Sequence, residues 1–269
     1  MLYTLSHLQK LYSGFNKTPN LWSGDSIYGL RQLEIDDNTS VFNRTQNRKL
    51  RLGQLAEQFV FNQIEHSKDF ELLAENIQIQ NGKETIGELD ALISMESKPI
   101  HVEIVYKFFL FDDTVPKNGL QNWIGPNRRD SLIEKLEKLT QKQLPLLHSQ
   151  FTKPYLQEFK LRADDINQKV IFKAQLFTPD NTKFEFNDLN PEAHLGYYYR
   201  FSQLEKLKNH KFYIPRKIDW FLVPEVRVNW LTSENFRPLA KQFLHENRAF
   251  MFWMKKPNGE LSKSFLVWW

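Results

Sequence analysis

The sequence predicts an α/β protein, and three observations predict it. Residues from about Asn47 to Glu65 place apolar side chains (Leu50, Leu52, Leu55, Phe59, Ile64) at helical spacing. Three strand-like segments follow, punctuated by turn signals: Phe70 to Ile79, Thr85 to Ser94 and Ile100 to Phe111. A second helical segment, Arg129 to about Gln143, then sets Leu132, Leu136 and Leu139 on one face. Side chains repeat every 3.6 residues on a helix and every two on a strand, so the change of period separates the elements. Helix, meander and helix in that order describe a sheet with a helix on either side.

Each element has its own justification. Leu5, Leu8 and Leu11 give residues 3–12 a helical face, and Pro19, Gly24 and the run Asp36-Asp37-Asn38-Thr39 mark irregular chain after it. Asn81-Gly82 is a hairpin signal, because both residues tolerate the left-handed backbone of a tight turn. Glu96-Ser97-Lys98-Pro99 makes the next turn. After the third strand, a loop of about fifteen residues runs through Trp123-Ile124-Gly125-Pro126-Asn127; loops of this length are often functional. Pro145 bends or ends the following helix, since it has no N–H to donate.

The second half reads as α+β. Val170 to Phe177 and Tyr197 to Phe201 are strands, and Phe212 to Val223 is a strand pair or one bent strand. Ser233 to Leu244 is a helix with Ser233 as N-cap, interrupted by Pro238. Ala249 to Met254 and Leu261 to Trp268 form a hairpin around Pro257-Asn258-Gly259. The weakest seam lies near 150–168, so the expected organisation is a core over 1–150 and an α+β extension over 151–269, separate or continuous with it.

Composition narrows the classes of function. The chain has 269 residues, 41% of them apolar and 25% charged, with a formal charge of +4. That charge permits an acidic partner without demanding one. There is no cysteine, which excludes thiol catalysis, disulfides and zinc–thiolate sites and fits a reducing compartment. No apolar stretch approaches the ~20 residues that span a bilayer, and no signal peptide is evident. A cytoplasmic protein without a membrane partner is expected.

The chemistry concentrates on two strands. Gly87-Glu88-Leu89-Asp90 puts Glu88 and Asp90 on one face, and His101-Val102-Glu103-Ile104-Val105-Tyr106-Lys107 puts His101, Glu103, Val105 and Lys107 on one face. Acids on adjacent strands can hold a divalent metal, and a lysine can steady the charge of phosphoryl transfer. Two readings stay open for Asp90 and Glu103: a magnesium pair, or acids on an exposed sheet face paired with Lys or Arg. Glu57 is a third carboxylate or a solvated helix residue. Glu88 and His101 are accessory or structural. Lys135, Lys138 and Lys142 fall on one helical stripe, with Arg128 and Arg129 ahead of it. This stripe follows a phosphate backbone, or it is a solvated face shared with Glu134 and Glu137. The aromatics Tyr197-Tyr198-Tyr199, Trp220, Trp230, Trp253, Trp268 and Trp269 either stack on bases or pack in the core, and the terminal Trp268-Trp269 pair invites a homodimer contact.

These residues resemble the PD-(D/E)XK nuclease-like superfamily. Leu52-Gly53-Gln54-Leu55-Ala56-Glu57 looks like its first helix, Gly87-Glu88-Leu89-Asp90 like its first acidic strand, and His101-Val102-Glu103 like its second. Within the superfamily the chain is similar to a bacterial family of unknown function, in Ala74-Glu75-Asn76, Glu103 to Phe108, Gly125 to Asp130 and Gln143-Leu144. The resemblance implies a restriction-endonuclease-like core with a mixed sheet flanked by helices. It also implies a nuclease or nuclease-like DNA-processing hydrolase, with Mg²⁺ or Mn²⁺ held by Asp90, Glu103 and Glu57. Arg128, Arg129, Lys135, Lys138 and Lys142 would bind nucleic acid, and Gln143 would line the site. One departure matters. The superfamily places lysine two residues after the second acid, where this chain has Val105, and the lysine is Lys107. Along a regular strand these offsets are ~7 and ~13 Å, so a β-bulge, a substitute such as Lys135, or an inactive site must account for it. The alternative function is a catalytically inactive nucleic-acid-binding or protein-interaction module on the same fold.

Overall fold

The computed structural model describes residues 3–24, 26–35, 41–115, 119–180, 185–186 and 188–269; the acidic run 36–39 lies outside them. The chain divides into two units that interleave along the sequence. One comprises Met1–Asn16, Asn20–Tyr106 and Glu134–Lys173, and the other Lys17–Pro19, Lys107–Ile133 and Ala174–Trp269.

The first unit begins with helices α1 (Leu5–Asn16) and α2 (Leu52–His66), which pack through Tyr12, Phe15, Phe42 and Phe59. Strands β1 (Phe70–Asn81), β2 (Glu84–Met95) and β3 (Lys98–Phe111) form the expected antiparallel meander. Gly82 makes the first turn at φ +61°, and the non-glycine pair Glu96 and Ser97 makes the second at φ +49° and +64°, a type I′-like geometry that matches strand twist. A second layer closes one side, where Leu147, Leu156 and Ile166 pack on Ile79, Leu89 and Leu92.

That layer departs from the expected single helix over 129–143. The α-helix α3 covers only Leu132–Lys138. Its start is displaced because Gly125 to Arg128 forms a turn, with Arg128 N–H donating to Gly125 O and Arg128 at φ +55°. After α3 the chain widens into a π turn over Leu139–Gln143. The Thr140 hydroxyl contacts the Leu136 and Glu137 carbonyls at 3.1 and 3.2 Å, which competes with the helical ladder. Pro145 cannot continue that ladder, and Leu144–His148 tightens into a 3₁₀ turn. Helix α4 (Lys153–Glu158) follows.

The second unit holds β4 (Trp123–Ile124), a short antiparallel partner of β3 inside what the sequence reads as loop. Strand β5 (Asn167–Pro179), which like β3 belongs in part to each unit, runs parallel to β6 (His194–Arg200). Strand β6 in turn runs parallel to β9 (Leu261–Val267), which forms a hairpin with β8 (Phe250–Lys255). The sheet is therefore mixed, and the protein is α/β with flanking helices. The stretch 212–223 is not a strand pair. Strand β7 spans Lys211–Tyr213, and a 3₁₀ turn follows over Lys217–Phe221, with Arg216 paired to Asp219; Pro215 stops the strand between them. Helix α5 (Ser233–His245) is capped by Thr232, whose hydroxyl accepts the Asn235 N–H, and not by Ser233. The helix carries Pro238 in its interior. Phe212, Phe236, Phe250 and Phe252 form the core of this unit.

Candidate functional site

Strand β2 pairs with β1 along its length, but with β3 only from Met95↔Lys98 to Ala91↔Val102. Just beyond, a side chain replaces the ladder: Asp90 Oδ2 accepts the Ile104 N–H at 2.8 Å. There a cleft of about 520 Å³ is bounded by α2, β1, β2 and the segment 138–146. Glu57 from α2 and Glu88 and Asp90 from β2 line it, together with Arg48, Lys138 and Lys142.

Glu103 lies behind the lining and is fully buried. Its Oε1 is 3.1 Å from His101 Nε2, and its Oε2 accepts from Gln143 Nε2. Gln143 Oε1 in turn accepts from Lys135 Nζ at 2.7 Å. On the other side of the histidine, Gln168 Nε2 bonds the Leu144 carbonyl at 2.7 Å and His101 Nδ1 at 3.0 Å. A carbonyl only accepts, so this atom is the amide nitrogen. It donates to Nδ1 and leaves the ring proton on Nε2, pointed at Glu103. The exposed-face reading of the sheet acids is thereby overturned: the 138–148 segment and Gln168 cover this face of β3.

Burial and crowding shift Glu57, Asp90, His101 and Glu103. Glu57 is raised to about 7, first by burial and then by Asp90, Glu88 and Glu103, with Lys135 opposing. Asp90 is raised to about 7 by burial and by Glu103, against the Ile104 N–H and Lys135. Glu103 is raised to about 7 by burial, with Lys135 again opposing. Burial lowers His101 to about 4, so it is neutral.

A pH dependence follows. The three carboxylates ordinarily titrate at 3.8 for Asp and 4.5 for Glu. Between those values and about 7 the folded state holds protons that the unfolded chain has lost, so their stabilisation disappears as pH rises through that window. His101 acts oppositely, because its stabilisation is lost as pH falls from 6.5 towards about 4. Three groups outweigh one, and above pH 6.5 nothing in the cluster opposes them. We expect the thermal midpoint in EDTA to fall by several degrees between pH 5 and 7.5. Scanning calorimetry across a buffer series checks this, and a midpoint that rises across the window contradicts it.

The structure gathers some of the sequence-predicted residues and not others. Glu57, Glu88, Asp90, Lys138, Lys142 and Gln143 share the cleft, with His101, Glu103 and Lys135 immediately behind it. Lys107 does not line the cleft; its ammonium pairs with Asp130 at 2.6 Å. Arg128 is engaged in the second unit, in an ion pair with buried Asp112 at 2.8 Å and against the Trp269 ring at 4.2 Å. Arg129 is exposed and is not one of the lining residues. Trp269, whose indole donates to Pro126 O, is a packing residue, while Trp268 stays exposed. Arg48, Gln54, Gln58, Asn76 and Gln78 also line the cleft and were not anticipated. For Asn76 the signal was present in Ala74-Glu75-Asn76, but its place depends on strand register.

A family model described as a domain of unknown function, DUF1853, matches residues 11–267. The chain belongs to this family. Neither a curated protein nor a solved structure gives a significant match to this DUF1853 member. Among the described residues no helix is long and apolar enough to cross a membrane. Among the same residues no group of three His, Cys, Asp or Glu side chains is arranged to hold a metal ion by itself.

Two carboxylates of the cleft have oxygens that could face an ion. The Glu57 carboxylate and Asp90 Oδ1 accept no hydrogen bond among the described residues, and burial first, then the neighbouring carboxylates, raise the proton affinity of both groups. One or two carboxylates with water is the usual magnesium environment. Both Glu103 oxygens are already engaged, so the oxygens open to an ion are those of Glu57 and Asp90.

Proposed function

We propose that this protein is a magnesium-dependent phosphodiesterase acting on nucleic acid, with DNA as the first candidate, and that its first unit is a PD-(D/E)XK-like core. The observation that carries the reading is the cleft itself, where under-compensated carboxylates of Glu57 and Asp90 sit within a rim formed by Arg48, Lys138 and Lys142. Acids alone would repel a phosphodiester. A cationic rim draws its backbone in, with an affinity that falls as salt rises.

In this reading Glu57 and Asp90 hold Mg²⁺ or Mn²⁺, which when bound polarises the phosphate and acidifies a coordinated water. The rim cations bind the backbone on either side of the reacting phosphate. Lys135, held by Gln143, takes the place of the missing lysine at Val105. His101 and Gln168 fix the Glu103 carboxylate. A reducing, cytoplasmic setting agrees with the absence of cysteine.

The diversion of Lys107 to Asp130 supports a second reading, a nucleic-acid binder without catalysis. Calorimetric titration of Mg²⁺ and Mn²⁺ separates the two when run beside incubation with single-stranded, duplex and branched DNA. Metal binding with metal-dependent cleavage, both lost in Asp90→Ala, supports the phosphodiesterase. Salt-sensitive DNA binding without cleavage supports the binder. Neither, in a folded protein, overturns both and leaves a protein-interaction module.

A further inference from the structure

Asn76 stands in the middle of β1 with φ +52°, a left-handed backbone that strand residues avoid and that asparagine tolerates better than most. It lies between the pairs Glu75↔Ala91 and Ile77↔Leu89, which sets it across from Asp90, and it lines the cleft. The other carboxamides of the lining are committed. Gln54 accepts the Arg51 N–H, Gln58 accepts from Arg44, Gln78 donates to Glu88, and Gln143 bridges Lys135 and Glu103. The Asn76 carboxamide has no hydrogen-bond partner among the described residues. A strained backbone that places an unpartnered polar group beside the carboxylates is an arrangement found at sites that bind something.

We propose that Asn76 is a substrate-binding residue whose Nδ2–H donates to a non-bridging oxygen of a phosphodiester lying over Asp90. The inference rests on the phosphodiesterase reading and deepens it. The position calls for a neutral donor. A lysine or arginine across from Asp90 would pair with it and quench the charge that holds a cation, whereas an amide attracts phosphate and leaves the carboxylate alone. A donor bond to a charged oxygen strengthens binding by about tenfold or more.

The test uses Asn76→Gly and Asn76→Asp. Glycine takes the same backbone freely, so the fold stays while the amide goes. Aspartate keeps the shape and replaces the donor with a negative charge. The probe is a labelled short DNA duplex with a single-stranded tail, followed by anisotropy in EDTA and again with Ca²⁺, alongside thermal midpoints and Mg²⁺ calorimetry. Asn76→Gly should keep its midpoint within a few degrees and its Mg²⁺ affinity, bind the probe about tenfold more weakly, and cleave more slowly in proportion. Asn76→Asp should bind the probe more weakly still. Wild-type probe affinity in either variant overturns the role of Asn76 while leaving the phosphodiesterase reading in place. A wild-type protein that neither binds nor cleaves the probe overturns both.

Discussion

Asp90→Asn should yield a protein that is more stable than wild type at pH 8 in the absence of metal and, on the proposed magnesium reading, one that binds Mg²⁺ far more weakly. The two effects have one cause. Burial and Glu103 disfavour the ionised Asp90 carboxylate, so at pH 8 its charge is a liability that the amide removes. The amide oxygen still accepts the Ile104 N–H, so the join between β2 and β3 survives. An amide oxygen is a far weaker ligand for magnesium than a carboxylate, and metal affinity should fall by more than about tenfold, with any cleavage lost alongside it. Asp90→Ala separates the contributions, because it also removes the charge but strands the buried Ile104 N–H at a cost of about 1–3 kcal/mol. The expected midpoint of the Asn variant at pH 8 in EDTA lies above those of both wild type and Ala. Scanning calorimetry gives the midpoints and titration calorimetry the affinity. An Asn variant that melts below wild type, or that keeps its Mg²⁺ affinity, would contradict this account.

The second large effect lies away from the cleft. Gly196 on β6 faces Lys263 on β9 in a parallel pair, and a β-carbon there would meet the Lys263 carbonyl oxygen at 2.1 Å. That neighbour is backbone and cannot rotate aside. Nor can β9 slide, because the Lys263 ammonium is buried and donates to Gln175 Oε1, Trp220 O and Phe221 O at 3.1, 2.9 and 3.4 Å. Gly196→Ala should therefore cost about 4 kcal/mol, lowering the midpoint by about 10 °C or abolishing soluble expression. Gly53→Ala is the control. Gly53 sits in α2 with open space around its β position, and alanine there should stabilise the protein by up to about 1 kcal/mol. Thermal melts of the two variants side by side check both signs, and a Gly196→Ala protein within about 1 kcal/mol of wild type would contradict the close-approach argument.

Much of the architecture was legible because its signals are local. The period of α2, the Asn81-Gly82 turn and the hairpin around Gly259 depend on a few neighbouring residues; the turn and the hairpin appear where the pattern places them, while α2 begins at Leu52, about five residues after the apolar pattern does. The pairing of acids on β2 and β3 was legible for the same reason, since alternation fixes which side chains share a face. What was hidden depends on counts that composition does not set. Extending the register of the Asn81-Gly82 hairpin without interruption puts Glu75 across from Asp90. The irregularity between Ile79 and Gln80 shifts the pairing by one, which brings Asn76 there instead and leaves Glu75 beside Ala91, gripped by Arg44. A one-residue slip exchanges the two faces of a strand. The π turn hides information likewise: a regular helix through 143 would aim Gln143 elsewhere, and the widened turn brings it onto Glu103. The partners of Arg128 and Lys107 were hidden because a cation's partner is chosen by tertiary contact. Nothing near Lys107 in sequence announces Asp130, which is brought there by the turn at Gly125.

The sealed ammonium of Lys263 also has a use at the bench. Amine-reactive acylation proceeds through an accessible, unprotonated amine, and this one is enclosed on β9 among carbonyl oxygens. Of the many lysines in the chain, it should be among the last to acquire label in native protein. Its modification, read by peptide mass, would then count openings of the second unit and serve as an internal clock for how often that unit comes apart.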